Sequence, residues 1–555
     1  MAKNTLILFL LFSSIVSSQS HRIKAIDSLF VKWNQPNSPG FSVGIIEDSK
    51  YVYAKGFGLA NLEYNIPNSP SSVFRIASTS KQFTAACIIL LIEQGKLNLN
   101  NTLNEYFPNF PEYSKNIAIR HLLNHTSGIR DYLTLAFLKN YESNDYYDDN
   151  DIMQWLVNQN ELNFKLGSEY LYSNSGYWLL GQIVNKVTGI NMADFAEKEI
   201  FEPLGMVNTH FHNDHNHIVK NRAVGYIPKD DNDYSISTTT LDMIGDGGVF
   251  TTINDMKKWD DEFYKRTFFS DTFWNLMTNQ GILNNENQIE YASGLFIGQY
   301  KGLKTISHGG AFVGYRAEYI KFPEQKTSII LLANRGDIYP TGICYQIADI
   351  LFKDDFVESE KDINITQKKE EFITIPISKL EQFSGHYWNN AGSYSRKIYV
   401  KNDTLRYSRS KTNESSLLPV NKNTFKMLNI NANILIKFER DSKDNFNMVF
   451  SVNEGNPFIS KKYTPKDYKD KELQKFVGDY YSKELDMYYK LKVEKGTLQL
   501  YINDKKFLMK SIMENFFTNN RFGNIQFILN SDTNTIRGFN LARGRVKNLI
   551  FNKVE

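Results

Sequence analysis

Two stretches toward the C-terminal end of the chain repeat one another. Leu380-Glu381-Gln382-Phe383-Ser384-Gly385-His386-Tyr387 matches Leu473-Gln474-Lys475-Phe476-Val477-Gly478-Asp479-Tyr480. Ile398-Tyr399-Val400 and Thr404-Leu405 match Leu491-Lys492-Val493 and Thr497-Leu498 at the same spacing. Motifs repeated in one order, with no gap between the copies, mean two copies of one small domain. Each copy is built of short alternating segments broken by turn residues such as Lys401-Asn402-Asp403 and Glu494-Lys495-Gly496, a pattern of antiparallel strands. Two copies are too few, and too long, for a solenoid. Two small antiparallel β-barrels are therefore expected, over residues 376–467 and 468–555.

The chain has 555 residues, too many for one hydrophobic core, so what precedes the repeats must fold separately. The charged passage from Lys353 to Glu371 marks a linker, set at residues 356–375. Residues 21–355 then form one block. Phe41-Ser42-Val43-Gly44-Ile45-Ile46 and Tyr51-Val52-Tyr53-Ala54-Lys55-Gly56 read as a hairpin. A helix is expected from Ser78 to about Gln94, closed by Gly95, and several helices with long connections from about 116 to 270. Strands return at Thr305–Gly310, Tyr315–Ile320 and Thr327–Asn334, followed by a helix near 341–353. Strands at both ends with helices between them imply an α/β (α+β) domain: one antiparallel sheet closing on itself, flanking helices, and an inserted helical subdomain.

A net charge of +3 without a basic tract excludes a nucleic-acid partner. The N-terminus has a lysine, an apolar run from Leu6 to Val16 and small residues to Ser20, the pattern of a secretory signal peptide over residues 1–20. No later run of about 20 apolar residues follows, so no transmembrane segment is expected, and the protein is read as exported, periplasmic or secreted. Cys87 and Cys344 each sit in an apolar helical segment, which favours two buried thiols over a disulfide. His210, His212, His215 and His217 crowd one polar stretch but specify no further ligand, so a solvated loop is expected rather than a metal site. His121 and His125 stand one helical turn apart before Thr126-Ser127-Gly128 and read as part of a structural turn. No metal and no cofactor is expected.

The chemistry centres on Ile76-Ala77-Ser78-Thr79-Ser80-Lys81. A lysine three residues after a serine on a helix shares its face, within reach of a hydroxyl that needs a base before it can attack. The pattern alone is weak, since Ser408-Arg409-Ser410-Lys411 repeats it inside a strand region with no downstream partners. Tyr172-Ser173-Asn174 adds a phenol for proton transfer and an amide for a substrate carbonyl. His308-Gly309-Gly310-Ala311 adds glycines at which a substrate can lie along a strand, with the N–H of Ala311 paired to that of Ser78 as an oxyanion hole. Asp131 is a cleft candidate that the sequence does not place.

In this order the motifs resemble the serine β-lactamase and penicillin-binding protein superfamily, in the branch with class C β-lactamases, D-alanyl-D-alanine carboxypeptidases, D-aminopeptidases and related esterases. His121-Leu122-Leu123-Asn124-His125-Thr126-Ser127-Gly128-Ile129, Phe201-Glu202-Pro203-Leu204-Gly205-Met206 and Gly247-Gly248-Val249-Phe250 add to the likeness, which spans about residues 25 to 355. The resemblance implies Ser78 as acylated nucleophile, Lys81 and Tyr172 as handlers of its proton, and Asn174, His308, Gly309 and Gly310 as substrate-binding residues. His308 stands where the commoner form has lysine, which weakens the case for gripping a substrate carboxylate, because an ordinary imidazole is mostly neutral at pH 7. D-aminopeptidases of this type also resemble a catalytic domain followed by two antiparallel barrels. The expectation is an exported serine hydrolase cleaving amides or esters of small or peptide-like substrates, of D-aminopeptidase, D-Ala carboxypeptidase or esterase type. The alternatives are a β-lactamase proper and a non-catalytic regulatory or partner-binding protein.

Overall fold

The computed structural model describes residues 21–142, 144–230, 233–356, 372–390, 392–430, 433–442, 444–452 and 457–554. The expected signal peptide at residues 1–20, and 357–371 of the expected linker, lie outside them. The chain divides at residues 359 and 360 into two compact units.

The first unit is organised by a six-stranded, wholly antiparallel sheet, in the order Phe296–Tyr300, Leu303–Phe312, Tyr315–Phe322, Thr327–Ala333, Phe41–Glu47, Lys50–Phe57. The first long strand pairs with the last, Phe41 opposite Ala333 and Glu47 opposite Thr327, so the two ends of the block meet in one sheet as expected. The paired strands Phe41–Glu47 and Thr327–Ala333 are buried along nearly their whole length because helices cover both faces. Helix Pro340–Leu351 places Ile343, Cys344, Ile347 and Leu351 in a core with Phe41, Val43, Ile45, Ile329 and Leu331. On helix Ile253–Lys265, Asp260 accepts from Tyr319 Oη at 2.7 Å and Ser328 Oγ at 2.5 Å, and its carboxylate lies 2.9 Å from Lys321 Nζ. Cys87 and Cys344 are free and buried.

Two features differ from the expectation. The edge strand Phe296–Tyr300 and a three-stranded sheet of Phe74–Arg75, Val249–Thr251 and His210–Phe211 are strands the sequence does not announce. Segments of two or three residues are too short to show a period. The expected helix from Ser78 begins as a 3₁₀ turn, Ala77–Ser80, and becomes α-helical at Lys81–Glu93; Gly95, at φ +69°, then ends it as expected, its N–H bonded to Ile92 O at 3.0 Å. Among the described residues no helix is long and apolar enough to cross a membrane.

The second unit holds two closed eight-stranded barrels, Gly385–Asn389 through Phe458–Tyr463 and Gly478–Ser482 through Val546–Lys553, each with strands in chain order. The repeated motif leads into each barrel's first strand, which pairs with the last. Tyr387 Oη donates to Phe383 O, and Tyr480 Oη to Phe476 O, both at 2.8 Å. Gly385 and Gly478 adopt φ of +150° and +149°, and a Cβ there would stand 2.5 and 2.7 Å from Cε of Lys462 and Lys553. Ser408 closes strand Thr404–Ser408 and donates to Ser410 O, so the second S-x-x-K is part of a turn.

Candidate active site

The chain leaves strand Phe74–Arg75 and turns sharply. Ala77 sits at φ +49°, a left-handed conformation that costs of order 1–3 kcal/mol for a residue with a side chain. The turn is held by Ile76 N–H to Val249 O at 3.0 Å, Thr79 N–H to Ile76 O at 3.1 Å and Val249 N–H to Ser80 Oγ at 3.0 Å. Its result is a partly exposed Ser78 between buried neighbours. Lys81 is fully buried at the head of the helix. Its Nζ lies 3.4 Å from Ser78 Oγ, donates to Asn174 Oδ1 at 2.9 Å, and donates to the backbone carbonyl of Asp246. The three-residue spacing therefore brings hydroxyl and amine together.

The second motif is clamped by the segment from 125 to 132. Ser173 N–H donates to His125 Nδ1 at 3.1 Å, Ser173 Oγ to Ile129 O at 3.2 Å, Asn174 N–H to Asp131 Oδ2 at 2.8 Å and Ser175 Oγ to Arg130 O at 2.7 Å. Asp131 also caps helix Tyr132–Leu138 by accepting Thr134 N–H at 3.1 Å. One buried carboxylate thus fixes a helix start and the backbone of Asn174. The Tyr172 ring centroid is 4.9 Å from Lys81 Nζ and 4.2 Å from the His125 ring.

His308, on strand Leu303–Phe312, is 2% exposed. Its Nδ1–H donates to Gly309 O at 2.7 Å, which leaves Nε2 to accept from Tyr291 Oη at 3.0 Å. Burial, and then the nearby Lys81 charge, push its pKa down to about 3. It is a neutral imidazole at physiological pH and supplies no cation. Thr79 Oγ1 donates to His308 O at 3.1 Å, and a Cβ on Gly310 would stand 2.0 Å from Ile76 O, so strand and turn are in direct contact. Ala311 follows, exposed. Gly309 is set differently, since a Cβ there would point at Glu318 Oε2, 3.0 Å away.

The family model described as Beta-lactamase matches residues 26–341. The chain belongs to the beta-lactamase family. It is 27% identical over 445 residues to Penicillin-binding protein 4* of Bacillus subtilis (strain 168), covering 77% of this chain and 96% of that protein. It is 25% identical over 296 residues to a D-aminopeptidase of Gluconobacter oxydans (strain 621H), covering 53% of this chain and 56% of the relative. In fold it is similar to the octameric penicillin-binding protein homologue from Pyrococcus abyssi, at TM-score 0.52 and 21% identity over 89% of this chain and 99% of that one. It is similar also to the D-amino acid amidase from Ochrobactrum anthropi SV3, at TM-score 0.52 and 21% identity over 60% of this chain and 99% of that one. As a beta-lactamase-family protein it is a serine hydrolase.

The beta-lactamase-type site uses residues that the motifs did not single out. Tyr291 Oη donates to His308 Nε2 from outside the motif, and only the fold brings it there. Asp246 holds Lys81 through its carbonyl, while its carboxylate accepts from Tyr132 Oη at 3.0 Å and is raised in pKa by burial. The signal for it is the glycine run around it, since Gly245 and Gly248 adopt φ of +111° and +98°. His121 accepts from Ala118 N–H at 3.0 Å, while His125 supports Ser173, so the two serve a turn. The expected solvated histidine loop is corrected in part: His217 is exposed and His215 partly so, but His212 is buried and the rings of His210, His212 and His217 lie together, because His210–Phe211 is drawn into the small sheet beside Phe250.

Proposed function

We propose that this protein is an exported hydrolase that forms an acyl-enzyme on Ser78 and acts on amides or esters of D-amino acids and D-peptides. The observation that carries the reading is the reach of one buried amine, with Lys81 Nζ 3.4 Å from Ser78 Oγ and 2.9 Å from Asn174 Oδ1. In acylation the Ser78 Oγ–carbon bond forms as the hydroxyl proton passes to Lys81 in its neutral amine form, or to a Tyr172 phenolate beside it. The N–H groups of Ser78 and Ala311 meet the developing oxyanion. The bond to the leaving amine or alcohol then breaks as that group takes the proton, and water repeats the sequence to free the acid and Ser78.

The choice of substrate rests on His308 and on the relatives. A neutral imidazole offers no charge to a substrate carboxylate, which favours amidase, aminopeptidase or esterase chemistry over carboxypeptidase or β-lactamase activity. The D-aminopeptidase and D-amino acid amidase among the similar proteins point the same way. The test is intact-mass measurement after a fluorophosphonate or penicillin probe. Wild type gains one adduct, Ser78→Ala gains none, and equal labelling of both sinks the assignment. A kcat/KM for nitrocefin above that for D-amino acid amides and p-nitrophenyl esters overturns the substrate ranking. Export, supported by the N-terminal pattern, is tested by sequencing the N-terminus of protein recovered outside the cytoplasm.

A further inference from the structure

One face of the small three-stranded sheet carries charge that the serine chemistry does not use. Arg75, Phe250 and His210 are lateral neighbours across it, since Arg75 pairs with Phe250 and His210 with Phe250 from the other side. Arg222 joins the same face through its bridge to Val73. Both guanidiniums lie over one ring, at 4.9 Å for Arg222 and 5.7 Å for Arg75 from the Phe250 centroid, and Arg75 is also 5.4 Å from Phe312. Arg75 is 5% exposed, and its Nε is buried without a hydrogen-bond partner. Among the described residues no carboxylate stands within ion-pairing distance of either arginine. Asp246 acts on Arg75 only from beyond that distance, so the buried guanidinium has no paired counter-charge, which is costly, and the second guanidinium against the same ring adds repulsion. His210 and His212 complete the face with their ring nitrogens 3.2 Å apart, and burial holds their pKa values down to about 4 and about 3, so both are neutral near pH 7; one N–H is spent on the bond between them, which leaves one ring N–H to donate.

We propose that Arg75 and Arg222, with His210 and His212, form a binding site for a small oxyanion, the carboxylate or phosphate group of a ligand. Guanidinium forks match both groups in geometry, and a bound anion would neutralise the two facing charges. Arg222 is half-buried and His217 exposed, which leaves the face a side open to solvent. Arg75 stands three residues before Ser78, on the strand that leads into the nucleophile turn, and none of the four residues is a group that the acylation uses.

The test is isothermal titration of the full chain with inorganic phosphate and, separately, with acetate, ionic strength being held constant with chloride. Saturable binding of at least one anion is expected, weakened about tenfold or more in Arg222→Gln and partly restored in Arg222→Lys. Phosphate alone binding would identify the phosphate source, and acetate binding a carboxylate. Ser78→Ala should bind as wild type does, which keeps this result independent of the acylation assay. Failure of both anions to bind wild type, or equal binding by Arg222→Gln, overturns the proposal.

Discussion

Replacing Gly310 by alanine is the most direct probe of how the strand and the nucleophile turn fit together. The added methyl would arrive 2.0 Å from Ile76 O and 3.0 Å from Thr79 Oγ1. Ordinary contact begins at 3.4 Å, so about 1.4 Å of separation has to be found between two backbones. Neither side yields cheaply, because Ile76 N–H is bonded to Val249 O and Thr79 Oγ1 to His308 O. Overpacking of this kind costs roughly 1–3 kcal/mol in stability. A misplacement of roughly 1 Å between reacting groups can cost about 10²-fold in rate. Gly310→Ala is therefore expected to lower kcat/KM for a p-nitrophenyl ester about a hundredfold while melting only modestly earlier. Gly309→Ala is the internal control. Its methyl would meet Glu318 Oε2 at 3.0 Å, on the other side of the strand; that oxygen accepts from Thr341 Oγ1, but it is a side-chain end needing a shift of only a few tenths of an ångström rather than a backbone needing about 1.4 Å. Calorimetry and steady-state kinetics on both variants decide the matter. A Gly310→Ala enzyme within about threefold of wild type, or a Gly309→Ala enzyme equally impaired, refutes the claim that this glycine is required by the approach of Ile76.

Other outcomes follow from single contacts. Asp131→Ala removes the cap on Thr134 and the acceptor for Asn174 N–H, and should cost about 2–4 kcal/mol in urea unfolding of the first unit together with most of the activity. Because His308 has its pKa depressed to about 3, it contributes stability in full above pH 6.5 that is lost as the pH falls toward 3. His210 and His212 titrate in the same acid window, so the contribution of His308 is read as the difference in urea midpoint between wild type and His308→Gln. That difference should narrow or reverse between pH 6.5 and 4, and a constant difference contradicts a neutral buried imidazole. Tyr480→Phe leaves Phe476 O without its donor and should destabilise the second barrel by about 1–3 kcal/mol, seen in the unfolding of residues 478–553 by hydrogen exchange.

What the sequence determined by itself was whatever depends on neighbours along the chain or on repetition. The barrels were legible because Leu380 to Tyr387 and Leu473 to Tyr480 are the same lead into a first strand written twice. Ser78 and Lys81 were legible because three residues of helical turn place a side chain near its partner wherever the helix is put. The end of that helix at Gly95 required only a left-handed residue. Tertiary structure alone decided the rest. Asp131 could be named but not placed, since its value lies in meeting Asn174, which is far along the chain. Tyr291, which makes His308 an acceptor, carries no local pattern that reports a partner on another strand, and the glycines around Asp246 mark its turn but not the Lys81 amine that its carbonyl holds. The histidine stretch looked solvated because its polarity is visible in the sequence, whereas the pairing of His210 with Phe250 is not. The charge state of His308 was decided in the same way: the residue is named by the sequence, but burial sets the cost of protonating it, and burial is a property of the folded chain.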